Sequence, residues 1–158
     1  MEKIACRKEP TRKEDGSSFF SRCLDQALRY LTIREHNRKE LSVKLSEKGY
    51  DNGTIGKVLD ELEDEGSLSE ERYVRSYVRS RCRRHPEGRS VMLRRLLQKG
   101  TDRNVAQNVL SDIYTSEYTA QLAAEARNLI LEKNGDADSA QLRFLLSKLG
   151  FRLSDIID

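Results

Sequence analysis

The chain has 158 residues, 37% of them hydrophobic and 35% charged, with a mean hydropathy of −0.73, which is lean for one deep core. No apolar run approaches the roughly eighteen residues of a membrane helix, and Met1 to Pro10 carry charges where a signal peptide needs its apolar centre. These features exclude a helical membrane protein and predict a cytoplasmic location.

Residues 1–20 mix both charges with Pro10 and Gly16 and predict a poorly ordered leader. From Ser21 the pattern turns helical, with Leu24, Ala27, Leu28 and Leu31 on one face and an end near Ile33. Asn37 and Glu40 have the spacing of a capping box and open a second helix carrying Leu41 and Leu45, which Gly49 closes. Asp51 or Asn52 then caps a third helix with Ile55, Val58, Leu59 and Leu62, stopped at Gly66.

The same grammar recurs. Leu41-x-x-x-Leu45-x-x-x-Gly49 is matched by Met92-x-x-x-Leu96-x-x-x-Gly100 and by Leu142-x-x-x-Leu146-x-x-x-Gly150. Six residues after each glycine stands an apolar residue: Ile55, Ala106 and Ile156. Self-similarity at a fixed period marks a repeat protein, whose units bury their apolar faces on one another. The second unit begins at Ser69 with Glu70 and Glu71 in its first turn and packs Tyr73, Val74, Tyr77 and Val78, ending before Pro86. Ser90 to Lys99 and Asp102 to Tyr114 complete it. The third runs from Ser116 through Leu122, Ala126, Leu129 and Ile130, then Ser139 to Leu149, with a stunted last helix from Ser154. No period-2 run appears. The expectation is therefore an all-α fold of tandem three-helix repeats, over 21–66, 67–115 and 116–158, stacked into an elongated, curved body.

Charge is unevenly spread. The net formal charge is only +3, yet Arg72 to Arg103 hold eleven basic residues against Glu87 and Asp102, and ten of the eleven are arginine. Asp60 to Glu71, just before, hold seven acids and no base. At 100° per residue, Arg72, Arg75, Arg79 and Arg83 fall within about 80° and form a ridge about 16 Å long, opposite the Tyr73/Tyr77/Val78 face. Forked guanidinium donors in such excess suit phosphate or carboxylate, so the expected partner is polyanionic. With Arg84, Arg89, Arg94 and Arg95 these residues form the candidate binding surface. Arg81 points to the apolar side and reads as structural. There is no Trp, and Tyr50, Tyr73, Tyr77 and Tyr114 occupy core positions, which argues against stacking-driven base recognition.

Catalytic signals are missing. His36 and His85 have no metal-ligand spacing with Cys, Asp or Glu, and no phosphate-cradling or common hydrolytic motif occurs. Cys6, Cys23 and Cys82 are an odd set with no CxxC, which reads as reduced thiols. The expectation is a non-enzyme with no cofactor, no metal and no catalytic residues.

Several segments in order resemble the RecX regulatory proteins of bacteria: Asn37-Arg38-Lys39-Glu40-Leu41, Leu45-x-x-Lys48-Gly49-Tyr50, Leu62 to Tyr73, and Gly88-x-x-x-Met92-x-x-x-Leu96-x-x-Lys99-Gly100. The similarity spans about residues 24 to 158. Where that family usually has Tyr/Phe-Leu-Asp-Asp, this chain has Ser67-Leu68-Ser69-Glu70, which keeps a cap followed by an acid. The resemblance implies a modulator of the RecA recombinase that lies in the groove of the RecA nucleoprotein filament; a monomer is the separate expectation. It would restrain filament growth, ATP hydrolysis, strand exchange and coprotease activity in recombination, DNA repair and the SOS response. It also implies binding to DNA, single- or double-stranded. The alternative is a winged-helix transcription regulator over Glu40 to Leu68. Against it, the would-be recognition helix Ile55 to Glu65 has five acids with Lys57 its only base, and no strand pair for a wing follows Gly66.

Overall fold

The computed structural model describes residues 16–135 and 138–155. Within them lie α1 (Gly16–Ile33), α2 (Arg38–Glu47), α3 (Asn52–Asp64), α4 (Glu70–Cys82), α5 (Arg89–Gln98), α6 (Arg103–Ile113), α7 (Ser116–Asn134) and α8 (Ser139–Lys148), then a 3₁₀ turn, Leu153–Asp155. The described residues contain no strand. Most of the expected leader lies outside them, and α1 starts at Gly16, earlier than its composition suggests. Phe19 is the reason: its ring meets Tyr50, in the link between α2 and α3, edge-on at 5.3 Å, and Phe20 packs on the first core, so both aromatics find partners remote in sequence.

The caps follow from local chemistry. Asn37 Oδ1 accepts the Glu40 amide at 2.7 Å, Asp51 Oδ1 that of Thr54 at 2.9 Å, Ser69 Oγ that of Arg72 at 3.3 Å, and Asp102 Oδ1 those of Asn104 and Val105. Each satisfies a helix-start amide that has no intrahelical acceptor. The Glu40 carboxylate, however, is spent on Arg34 at 3.0 and 2.5 Å. Gly49 ends α2 at φ +88°, where a side chain would be strained.

One core lies among α1, α2 and α3, built from Cys23, Ala27, Leu41, Leu45, Ile55, Val58, Leu59 and Leu62 and closed by Leu68. A second runs without a break from α4 to α8, joining Tyr73, Val74, Val78, Met92, Leu96, Ala106 and Leu110 to Leu122, Ala126, Leu146 and Phe151. Burying each such Leu contributes about 1.5–3 kcal/mol, which short helices with little intrinsic stability need. Leu129, expected on the inner face, is 46% exposed. In the first two units the opening helix packs against a full third helix, whereas among the described residues α7 packs against α8 and the 3₁₀ turn. Ile156, the third member of its series, lies outside the described residues.

The units join by one repeated device. Asn37, the residue before α2, donates its Nδ2 to the carbonyl of Lys99, the residue after α5, at 3.1 Å. Gly88, the residue before α5, donates its amide to the carbonyl of Leu149, the residue after α8, at 2.8 Å. The start of each unit's middle helix thus docks on the end of the next unit's middle helix.

Candidate polyanion-binding surface

α4 carries the expected ridge because its other side is committed to the core through Tyr73, Val74, Val78 and Cys82. The ridge divides in two. Arg72 Nε meets Glu35 Oε1 at 3.0 Å and its Nη2 donates to the Ser67 carbonyl at 2.9 Å. Arg75 is shared between Glu71 at 2.9 Å and Asp112 at 3.0 Å. These two arginines tie α4 to its own surroundings, which corrects the reading of four open guanidiniums. Arg79 and Arg83 are exposed and have no ion-pair partner among the described residues. They border a groove of about 570 Å³ between α4 and α7, floored by Val78, Cys82 and Leu122, with Tyr118 and Glu125 also lining it.

The four remaining candidates also differ. Arg95 is fixed by Glu87 at 2.6 and 2.8 Å, and Arg89 reaches α6, donating to Ser111 Oγ at 2.7 Å and to the Gln107 carbonyl. Arg84 and Arg94 are exposed, without ion-pair partners among the described residues. Four of the eight candidates, Arg79, Arg83, Arg84 and Arg94, are therefore exposed and make no ion pair among the described residues.

Composition concealed Glu87. The sequence counts it as one of two acids diluting a basic run, but it is 3% exposed and clamped by both Arg81 and Arg95. Burial alone would raise its carboxyl; the hydrogen bonds and charges of Arg95 and Arg81 outweigh that and hold it below the ordinary carboxylate range. Tyr114 donates to the Glu87 carbonyl at 2.9 Å, so the segment between α4 and α5 is anchored through side chain and backbone. Arg81 is structural, as its place on the wheel suggests. A charge in a Pro-Glu-Gly turn between two basic helices was the only available signal.

The acids before the ridge are largely engaged within the chain: Asp60 and Glu63 hold Arg38, and Glu70 accepts the Asp102 amide. His36 is 2% exposed, with Nδ1 3.2 Å from Glu40 and its ring edge-on to Tyr30. Among the described residues no group of three or more His, Cys, Asp or Glu side chains has the arrangement of a metal site, and no helix is long and apolar enough to cross a membrane.

The described residues form an all-helical array of three-helix units with an arginine-rich flank. Two family models match in tandem: RecX, first three-helix domain, over residues 23–62, and RecX, second three-helix domain, over 69–110. Regulatory protein RecX of Pelodictyon phaeoclathratiforme is 33% identical over 131 residues, covering 82% of this chain and 81% of that one. Regulatory protein RecX of Chlorobaculum tepidum is 45% identical over 86 residues, 54% of this chain and 53% of its own, and that of Prosthecochloris aestuarii 37% over 57% of its length. The aligned stretch thus spans little more than half of these last two relatives. The chain belongs to the RecX family of regulatory proteins. Its fold matches the crystal structure of RecX from Lactobacillus salivarius with a TM-score of 0.75 at 22% identity, over 88% of this chain and 92% of that one.

Proposed function

We propose that this protein binds the RecA nucleoprotein filament as a monomer in the cytoplasm and restrains filament growth, ATP hydrolysis, strand exchange and coprotease activity. It acts by occupancy and catalyses no reaction. The observation that carries the reading is the set of unpaired guanidiniums at Arg79, Arg83, Arg84 and Arg94 on a stack of repeats. A filament groove offers phosphates and acidic side chains together, and a stack of small units is suited to following it. Arg72, Arg75, Arg89 and Arg95 keep their neighbours in register beside that surface.

The test is RecA ATP hydrolysis on single-stranded DNA with and without the full chain. The reading predicts a rate that falls as the protein is added; an unchanged rate at saturating protein rejects it.

A further inference from the structure

On the flank of α4 away from the α7 groove lies a separate hollow of about 290 Å³, lined by Tyr77, Ser80, Arg81, Arg84, His85 and Lys99. No carboxylate lines it, whereas Glu125 lines the α4/α7 groove. Three of its walls are cationic. The Lys99 ammonium lies 5.4 Å from the centre of the Tyr77 ring, which holds it at the hollow, and Tyr77 is itself stacked on Tyr73 at 6.0 Å. Arg81 is steadied by Glu87 through one nitrogen, while its Nε is buried with no acceptor. Arg84 is exposed without an ion-pair partner among the described residues.

Basic residues at helix ends offset the macrodipole, and this hollow sits where α4 and α5 both finish. That explanation is too small. Each C-terminus presents about half a negative charge, so two supply about one. Glu87 supplies one more, against the four cations Arg81, Arg84, Arg95 and Lys99. An excess of about two positive charges remains, enough for one phosphate group. Ser80 contributes a hydroxyl and His85 an imidazole, both hydrogen-bonding groups at the rim.

We propose that this hollow is a phosphate-binding site, with Arg84 and Lys99 as its principal contacts and Arg81 as its pre-set rear wall. The proposal rests on the polyanion reading above and goes further in naming the group bound and its location. The phosphate comes either from a nucleic-acid backbone or from a free ion, and the experiment separates these sources without RecA present.

Fluorescence anisotropy of a labelled oligothymidylate of about twenty nucleotides is titrated with the full chain at several salt concentrations. The double variant Arg84→Ala/Lys99→Ala, in which both side chains are exposed, should weaken binding about tenfold and make the log-log salt slope shallower by about 1.4, two contacts at roughly 0.7 each. Lys48→Ala/Lys57→Ala removes the same charge from the first repeat and should leave that slope as it was. Ser80→Glu, which sets a carboxylate at the rim, should match the loss. Competition by millimolar inorganic phosphate assigns the site to a free ion; its failure assigns it to the backbone. Unaltered affinity in the double variant, an equal loss in the Lys48/Lys57 control, or no binding of either probe overturns the proposal. Unaltered oligonucleotide binding by the double variant, with inhibition of RecA by the parent chain intact, would reject this site and leave the wider reading standing.

Discussion

Gly88 and Gly150 meet backbone to backbone: a Cβ on Gly88 would overlap the Gly150 carbonyl and approach the Phe151 nitrogen to 2.9 Å. The neighbouring hydrogen bond from the Gly88 amide to Leu149 fixes how the second and third units share one core. Gly88→Ala should force those backbones apart and cost about 1–3 kcal/mol, the usual range for overpacking. The urea midpoint reads it; an unchanged midpoint would mean the joint has slack.

Gly49 occupies the corresponding helix end in the first unit, with φ +88° but open space where a side chain would go. Only backbone strain opposes replacement there. Gly49→Val should cost about 1–2 kcal/mol in thermal or urea unfolding, with no loss of the second core. Equal melting of variant and parent would remove the strain argument.

Glu87 is the buried counter-charge for two arginines whose own side chains are 30% and 37% exposed. Breaking a fully buried pair costs about 3–5 kcal/mol, and the wet guanidiniums reduce that, so Glu87→Gln should lose about 2 kcal/mol. It should also loosen the segment between α4 and α5, seen as faster amide exchange there. A variant as stable as the parent would show that the clamp contributes little.

Stability should fall in two stages as pH drops. Burial pushes the His36 imidazole below its ordinary value of 6.5, with Arg34 adding to the shift and Glu40 opposing it. The unfolded chain therefore takes up a proton near pH 6.5 that the folded chain refuses, and folding weakens from there downward until the native imidazole also protonates. Glu87 has a lowered pKa, so its contribution is present above its ordinary value of 4.5 and disappears as pH falls through the lower folded value. Glu40, where the Arg34 and His36 contacts outweigh burial, adds to this second stage. Urea midpoints between about pH 7.5 and 3 should show both stages, and His36→Gln should remove the upper one while leaving the Glu87 part of the lower one. A midpoint that stays flat from 7.5 to 5.5 in the parent contradicts the assignment.

What could be read from the sequence was what local chemistry decides. Asn37, Asp51 and Ser69 cap helices because each oxygen reaches the amide three residues on, and Gly49 turns left-handed for reasons contained in its own turn. The repeat itself is periodicity. The division of the arginine ridge was hidden because its acceptors are remote: Glu35 is 37 residues from Arg72, and Asp112 is 37 from Arg75. A helical wheel places side chains around one axis and carries no information about which helix lies alongside. Glu87 was missed for a related reason, since its burial depends on α4 and α5 closing over it from both sides. The early start of α1 likewise depends on remote partners, Tyr50 for Phe19 and the first core for Phe20.

The account depends on Arg79 and Arg83 as the exposed, unpaired part of the α4 ridge. The most direct test is RecA ATP hydrolysis on single-stranded DNA with Arg79→Glu/Arg83→Glu beside the parent chain, circular dichroism confirming equal helix content. Inhibition should fall at least tenfold in potency for the variant. Full inhibition by a variant that remains helical would contradict the central claim.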